Sequence, residues 1–149
     1  MRSFALLLLA CLVACSSSPL PERARQPLAI QTQAGVQAFQ VELVRSPHDL
    51  WTGLRWRKTM AADHGMLFDL GEEEVARFTM SDTLIPLDML FIGGDGRILK
   101  IVAHTVPGEP GPYTSGVLVR GVLELNAGTA ERTGIQTGDV VHHPLFVRR

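Results

Sequence analysis

The stretch LIPLDMLFIGGDGRILKIV, residues 84–102, decides the fold. Residues 87–92 and 97–103 are short aliphatic runs, and Gly93-Gly94-Asp95-Gly96 between them supplies residues that accept positive φ. The two runs should therefore pair as a hairpin. Working outward, residues 36–44 alternate, with Phe39, Val41 and Leu43 on one side and Gln40 and Glu42 on the other, as in a half-buried strand. Residues 65–68, 75–80, 117–125 and 140–147 read as further strands. Ser46-Pro47 opens a short helix ending near Gly53 or Leu54, because a serine hydroxyl caps free amides and proline suits the first helical position. A second short helix spans 127–133, with Asn126 as its cap and Gly134 as its end. The fold class expected is mainly β (α+β), an antiparallel, partly closed barrel or sandwich with two short helices.

The first eighteen residues, MRSFALLLLACLVACSSS, carry a basic start, an apolar run of about ten residues and small residues after it. That layout is a secretory signal, too short to span a bilayer. Leu12-Val13-Ala14-Cys15 resembles the lipobox of bacterial lipoproteins, in which Cys15 is acylated and becomes the new N-terminus. Cys11 is a competing site, but it leaves a shorter apolar core before it. Processing at Cys15 removes one of the two cysteines and acylates the other, so the mature domain has neither disulfide nor cysteine metal ligand. The expected division is a signal over 1–14, a Ser- and Pro-rich tether over 15–33 and a single globular domain over 34–149. The location expected is extracytoplasmic and lipid-anchored, with Ser16 directing the protein to the outer membrane, facing the periplasm, if the host is Gram-negative.

A net charge of −1 over 149 residues, with both signs interspersed, argues against a nucleic-acid partner and against electrostatic membrane docking. Glu72-Glu73-Glu74 is the exception and reads as a solvated loop or helix start. His48, His64, His104, His142 and His143 are scattered without metal-ligand spacing, and the last two point to opposite faces of a strand. No nucleophile elbow, phosphate-binding glycine loop or dinucleotide fingerprint occurs. No cofactor or metal is therefore expected, and nothing in the pattern demands an enzyme.

The runs GLRWRKTMAADHGMLFDL, RFTMSDTLIPLDMLFIGGDGRIL and GVLELNAGTAERTGIQTGDVV together resemble the family known as domain of unknown function 192, over residues 41–141. The family signature is a GMLF strand, an aromatic-x-Met-x-x-Thr-x-Ile-Pro-Leu-Asp core before a DG hairpin, and a closing VLE, Gly-Ile, Gly-Asp series. The resemblance implies a secreted or lipid-anchored domain and transmits a fold rather than a reaction. The chain departs from it in two places. Thr79-Met80-Ser81-Asp82-Thr83 stands where the family usually carries Trp-Met-Lys-Asn-Thr, and Gly53-Leu54-Arg55 where it often carries Gly-Leu-Met.

Four residues form the candidate site: Arg57, Thr83, Asp88 and Glu124. Asp88 lies in so apolar a run that it needs partners. It reads either as a structural acceptor for backbone amides or as a site carboxylate with a shifted pKa, and alternation also allows it the solvent side of a one-sided sheet. Glu124 alternates with apolar neighbours, which favours an outward polar position. Arg57 offers a bidentate pair to Asp88 or Glu124. Two functions follow: an accessory or binding module of the cell envelope, contacting an envelope protein or small ligand, or a hydrolase of an envelope polymer using Asp88 and Glu124 as paired acid and base. The first is favoured.

Overall fold

The computed structural model describes residues 23–147. The segment expected to be a signal, and Cys15, lie outside the described residues. About half the chain is strand, arranged as a seven-stranded mixed sheet curled into a half-barrel with two short helices. The strands are β1 (Arg25–Thr32), β2 (Gly35–Val44), β3 (His64–Phe78), β4 (Leu87–Ile92), β5 (Ile98–Val102), β6 (Tyr113–Asn126) and β7 (Val140–His142). Their order across the sheet is β5-β4-β6-β3-β2-β1-β7. Only β2 and β3 run parallel, joined through α1 (Pro47–Thr52); every other neighbouring pair is antiparallel.

The two edge strands meet at one end. Arg97 bridges Val140, the Ile98 amide donates to the Asp139 carbonyl at 2.9 Å, and the Val141 amide donates to the Gly96 carbonyl at 2.7 Å. Gly96 makes that approach possible, since its φ is +83° and a Cβ there would stand 2.6 Å from the Val141 carbonyl oxygen. Inside the curl, Leu28, Ile30, Val41, Leu67, Leu90, Leu123 and Phe146 belong to one apolar cluster. A second cluster, which includes Met66, Phe68, Met80, Met89, Phe91 and Val122, packs on the other face. Alternate residues of β4 and β6 feed different clusters, so these central strands are buried on both sides.

The elements form largely where local chemistry places them. Ser46 Oγ accepts from the Asp49 amide at 3.1 Å and caps α1, with Pro47 in the first turn. The Gly93–Arg97 turn closes the β4–β5 hairpin. Four expectations need correction. Residues 25–32, assigned to the tether, form β1, which pairs with β2 and β7 and buries Leu28 and Ile30. The two strands read at 65–68 and 75–80 are one bent strand, β3, whose pairing with β6 shifts register between Asp69 and Glu74; the acidic triplet lies exposed in that bend, neither loop nor helix start. Helix α2 (Thr129–Thr133) is preceded by Gly128 in the left-handed region, and Asn126 instead donates to the Met60 and Ala61 carbonyls. The last strand stops at His142. His143 is buried, and its ring Nδ1 accepts from the Leu145 amide to start a 3-10 turn over Pro144–Phe146.

Asp88 fixes the plug of the curl. Its side chain is 0 % exposed; Oδ1 accepts from the amides of His104 at 3.0 Å and Gly128 at 3.1 Å, and Oδ2 accepts from Ala130 at 2.9 Å. One carboxylate thereby ties β4, the segment after β5 and the start of α2 together with charge-assisted bonds.

Two stability predictions follow from this arrangement. Asp88→Ala strands three backbone donors and should cost on the order of 3 kcal/mol, lowering the melting temperature by about 10 °C in a domain of this size; an unchanged melt would refute the structural role. A chain beginning at Ala34 lacks β1, exposing the edges of β2 and β7 and losing the burial of Leu28 and Ile30, each worth about 2 kcal/mol. Against a total stability of roughly 5–15 kcal/mol, it should show no cooperative thermal transition by circular dichroism, whereas the chain that retains β1 does.

Candidate functional site

Register places Glu42, Met66, Glu124 and Met89 in one row across β2, β3, β6 and β4, all on the same face of the sheet. On a one-sided sheet that face would be wet. Here α1, Leu54 and the segment carrying Met80 and Ile85 cover it, so Glu42 is 2 % and Glu124 4 % exposed. The cover is incomplete. A cleft of about 310 Å³ remains between α1, the bent half of β3 and the Thr79–Thr83 segment. Leu50, Leu54, Phe68, Leu70 and Phe78 form its apolar walls; Glu124 and Thr83 lie within it, and Trp51, Thr52, Gly53, Arg55, Glu74, Arg77 and Thr79 complete the lining. Phe68 and Phe78 meet edge to face at 4.9 Å.

Glu42 and Glu124 sit two strands apart, about 10 Å between backbones, and are handled differently. Arg57 donates to both Glu42 oxygens, at 2.5 and 2.6 Å, in the bidentate fork geometry, and Arg23 lies 3.8 Å away. Glu124 has no hydrogen-bond or ion-pair partner among the described residues. Burial therefore acts on it unopposed and pushes its pKa up to about 8. At neutral pH it is mostly the neutral acid, offering one O–H donor and a carbonyl acceptor into the cleft.

Of the four candidates, Thr83 and Glu124 come together in the cleft, while Arg57 and Asp88 do not join them. The outward position favoured for Glu124 is corrected: Leu123 and Leu125 face the inside of the curl, and the other face is covered as well. The pairing offered for Arg57 is also corrected, because Glu42 takes both of its donors. Asp88 pairs in register with Leu125, and its neighbour Met89 with Glu124, so the two carboxylates occupy opposite faces of the sheet. They cannot act as acid and base on one bond. Among the described residues, no three His, Cys, Asp or Glu side chains gather into a metal-binding group.

Reading the sequence missed Glu42, Arg55, Trp51 and Arg77. Arg55 stacks 4.7 Å from the Trp51 ring, donates to the Ser81 carbonyl at 3.2 Å and pairs with Asp82 at 3.0 Å. Trp56 and Asp82 both hold φ of 61°, and the Trp56 amide donates to the Asp82 carbonyl at 2.8 Å. Two strained residues are thus locked together at the rim. A non-glycine φ of that kind has no sequence signal.

Two solved structures share this architecture. A protein from Sinorhizobium meliloti 1021, described as a candidate transcription regulator, is 40% identical, with a TM-score of 0.80 over 83% of this chain and 97% of its own. A protein of unknown function from Novosphingobium aromaticivorans DSM 12444 is 32% identical, with a TM-score of 0.81 over 89% and 94% of the respective chains. Among curated proteins none matches the chain. The model of the domain of unknown function 192 family, described as "Uncharacterized ACR", matches residues 29–143, the whole sheet from within β1 to the residue after β7, and the chain belongs to that family.

Proposed function

We propose that the protein is a ligand-binding module of the cell envelope, acylated at Cys15 and held at the extracytoplasmic face of a membrane, which takes a small, largely apolar molecule into the cleft over Glu124. The observation that carries this reading is the contrast between two buried carboxyls on adjacent strands. Asp88, which serves the fold, has three amide donors. Glu124, at 4 % exposure, has none among the described residues, and it faces a cleft. Among the described residues no fully buried side-chain oxygen or nitrogen lacks a hydrogen-bond partner, so the Glu124 carboxyl, without a protein partner, reaches the open cleft; a nearly buried carboxyl answered only by a cleft is a place for a ligand's hydrogen bonds. The apolar walls suit a hydrophobic body, while Glu124 and the Thr83 hydroxyl suit one group that both accepts and donates. Arg77 and Glu74, of opposite sign, both line the cleft, so it presents a cation and an anion beside the Glu124 acid. The leader and lipobox pattern supports the envelope location.

Two measurements test this site. In the unfolded chain Glu124 ionises near 4.5, whereas the folded chain keeps the proton to about 8. The native state therefore binds more protons between those values, and Glu124 lowers stability as pH rises through that window, by an amount on the order of 5 kcal/mol that levels off above it. Glu124→Gln, neutral at every pH, should melt close to wild type near pH 5 and increasingly above it toward pH 8; a gap independent of pH would mean that Glu124 is not a buried proton-binding group. Second, small neutral aromatic fragments should shift the amide resonances of Leu54, Phe78, Thr83 and Glu124 in heteronuclear NMR. Glu124→Leu should weaken such fragments about tenfold, the worth of one or two hydrogen bonds. Shifts clustered elsewhere on the domain would overturn the assignment of the cleft.

A further inference from the structure

The chain has two tryptophans, Trp51 and Trp56, and the fold buries neither: they are 60 % and 54 % exposed. Their rings lie 6.1 Å apart, tilted by 56°. Large indoles are ordinarily the most heavily buried side chains of a small domain, and Trp56 is held outward from a left-handed backbone position that an L-residue adopts at a cost. This exposed aromatic face asks for an occupant.

The start of the described chain says which. Arg23 Nη2 donates to Asp49 Oδ1 at 2.5 Å, which ties the first described residue to α1 two positions before Trp51. Arg23 lies eight positions after Cys15, a reach of at most about 28 Å even fully extended. An acyl group on Cys15 would thus keep α1, with Trp51 on it and Trp56 just after it, close to the bilayer surface. Most charges on this side are paired, Arg23 with Asp49, Arg57 with Glu42 and Arg55 with Asp82, while Glu74 and Arg77, of opposite sign, line the cleft. Lys58 is exposed and has no partner among the described residues. Paired charges around two exposed indoles and one lysine match the headgroup layer, where tryptophan is enriched and lysine extends to water, better than they match a polyanion.

We propose that the Trp51–Trp56 face rests in the headgroup layer of the membrane that carries the Cys15 anchor. This rests on the lipid-anchored reading above. The anchor holds the protein to the surface, and the two indoles set its orientation. Trp51 also lines the cleft, so the cleft's rim lies at the interface, where an amphipathic ligand partitions.

The two tryptophans make the test direct, since all indole fluorescence comes from this face. Full-length protein, lipidated in the cell, is reconstituted into vesicles of phosphatidylethanolamine and phosphatidylglycerol and floated on a density gradient. The expected result is co-flotation with indole emission quenched about twofold by lipids brominated near the headgroup and poorly by aqueous iodide. It should be unchanged at about 0.5 M salt, because the contact is apolar. Trp51→Phe and Trp56→Phe, both at exposed positions, should each retain the quenching of the remaining indole. Flotation with indoles open to iodide and blind to brominated lipid would overturn the docking face and leave the anchor standing. Failure to float would overturn both.

Discussion

Burial of β4 and β6 on both faces is the constraint from which the rest of the structure follows. In an open, one-sided antiparallel sheet, alternate residues face water and a carboxylate among them is solvated without cost. Here the curl encloses one face, while α1, Leu54 and the Met80–Ile85 segment cover the other, so all six residues of β4 and those from Gly121 to Leu125 on β6 are buried. Any polar side chain on these strands must find a partner inside the protein or reach a gap in the cover. Asp88 and Glu124 lie on adjacent strands and opposite faces, and they take the two outcomes in turn.

Those outcomes separate a carboxylate committed to the fold from one left facing the cleft. Asp88 is satisfied by backbone amides from two separate segments, which closes one end of the curl and seats α2, carrying Ala130 into the inner core. Glu42, in the same row as Glu124, is satisfied by the Arg57 fork. Glu124 alone of the three is left to the cleft. Arg57 shows how readily the chain supplies a cation when a carboxylate on this face has to stay charged. Glu124 has no such cation, so the site holds a neutral acid at physiological pH, suited to hydrogen bonding with a ligand rather than to charge pairing.

What the sequence made legible was whatever depends on local chemistry. The DG hairpin of β4 and β5, the Ser46 cap of α1, the Gly134 end of α2 and the alternation of β2 are written in neighbouring residues. Decisions made at long range were not legible. Alternation in Val122-Leu123-Glu124-Leu125 cannot tell a wet face from one covered by a segment more than 40 residues away, and Glu42 misled in the same way. β1 was hidden because Pro27 and the glutamines around it have the composition of a linker, and only its pairing with β2 and β7 makes it a strand. Thr83 and Glu124 were singled out as candidates, yet that they meet, and that Arg57 and Asp88 do not join them, depends on register, which one-residue shifts invert.

The positions at which the chain departs from the family pattern meet at the cleft. Arg55 stands where a methionine is usual, Thr79 where a tryptophan is, Ser81 where a lysine is and Asp82 where an asparagine is. In the structure Arg55 donates to the Ser81 carbonyl and pairs with Asp82, while Thr79 and Arg55 both line the cleft. The cation absent from position 81 is thus present at 55, reaching the same backbone from the opposite wall, and the new carboxylate at 82 holds it there. The indole absent from position 79 has no replacement on its own segment, and Trp51, stacked against Arg55, is the aromatic residue left at that rim. These differences are coupled through direct contacts, so they act as one altered rim above a floor where Thr83 and Glu124 still follow the family pattern. A ligand recognised by both parts would share its buried group with those of relatives and differ in the end that projects past Arg55 and Trp51.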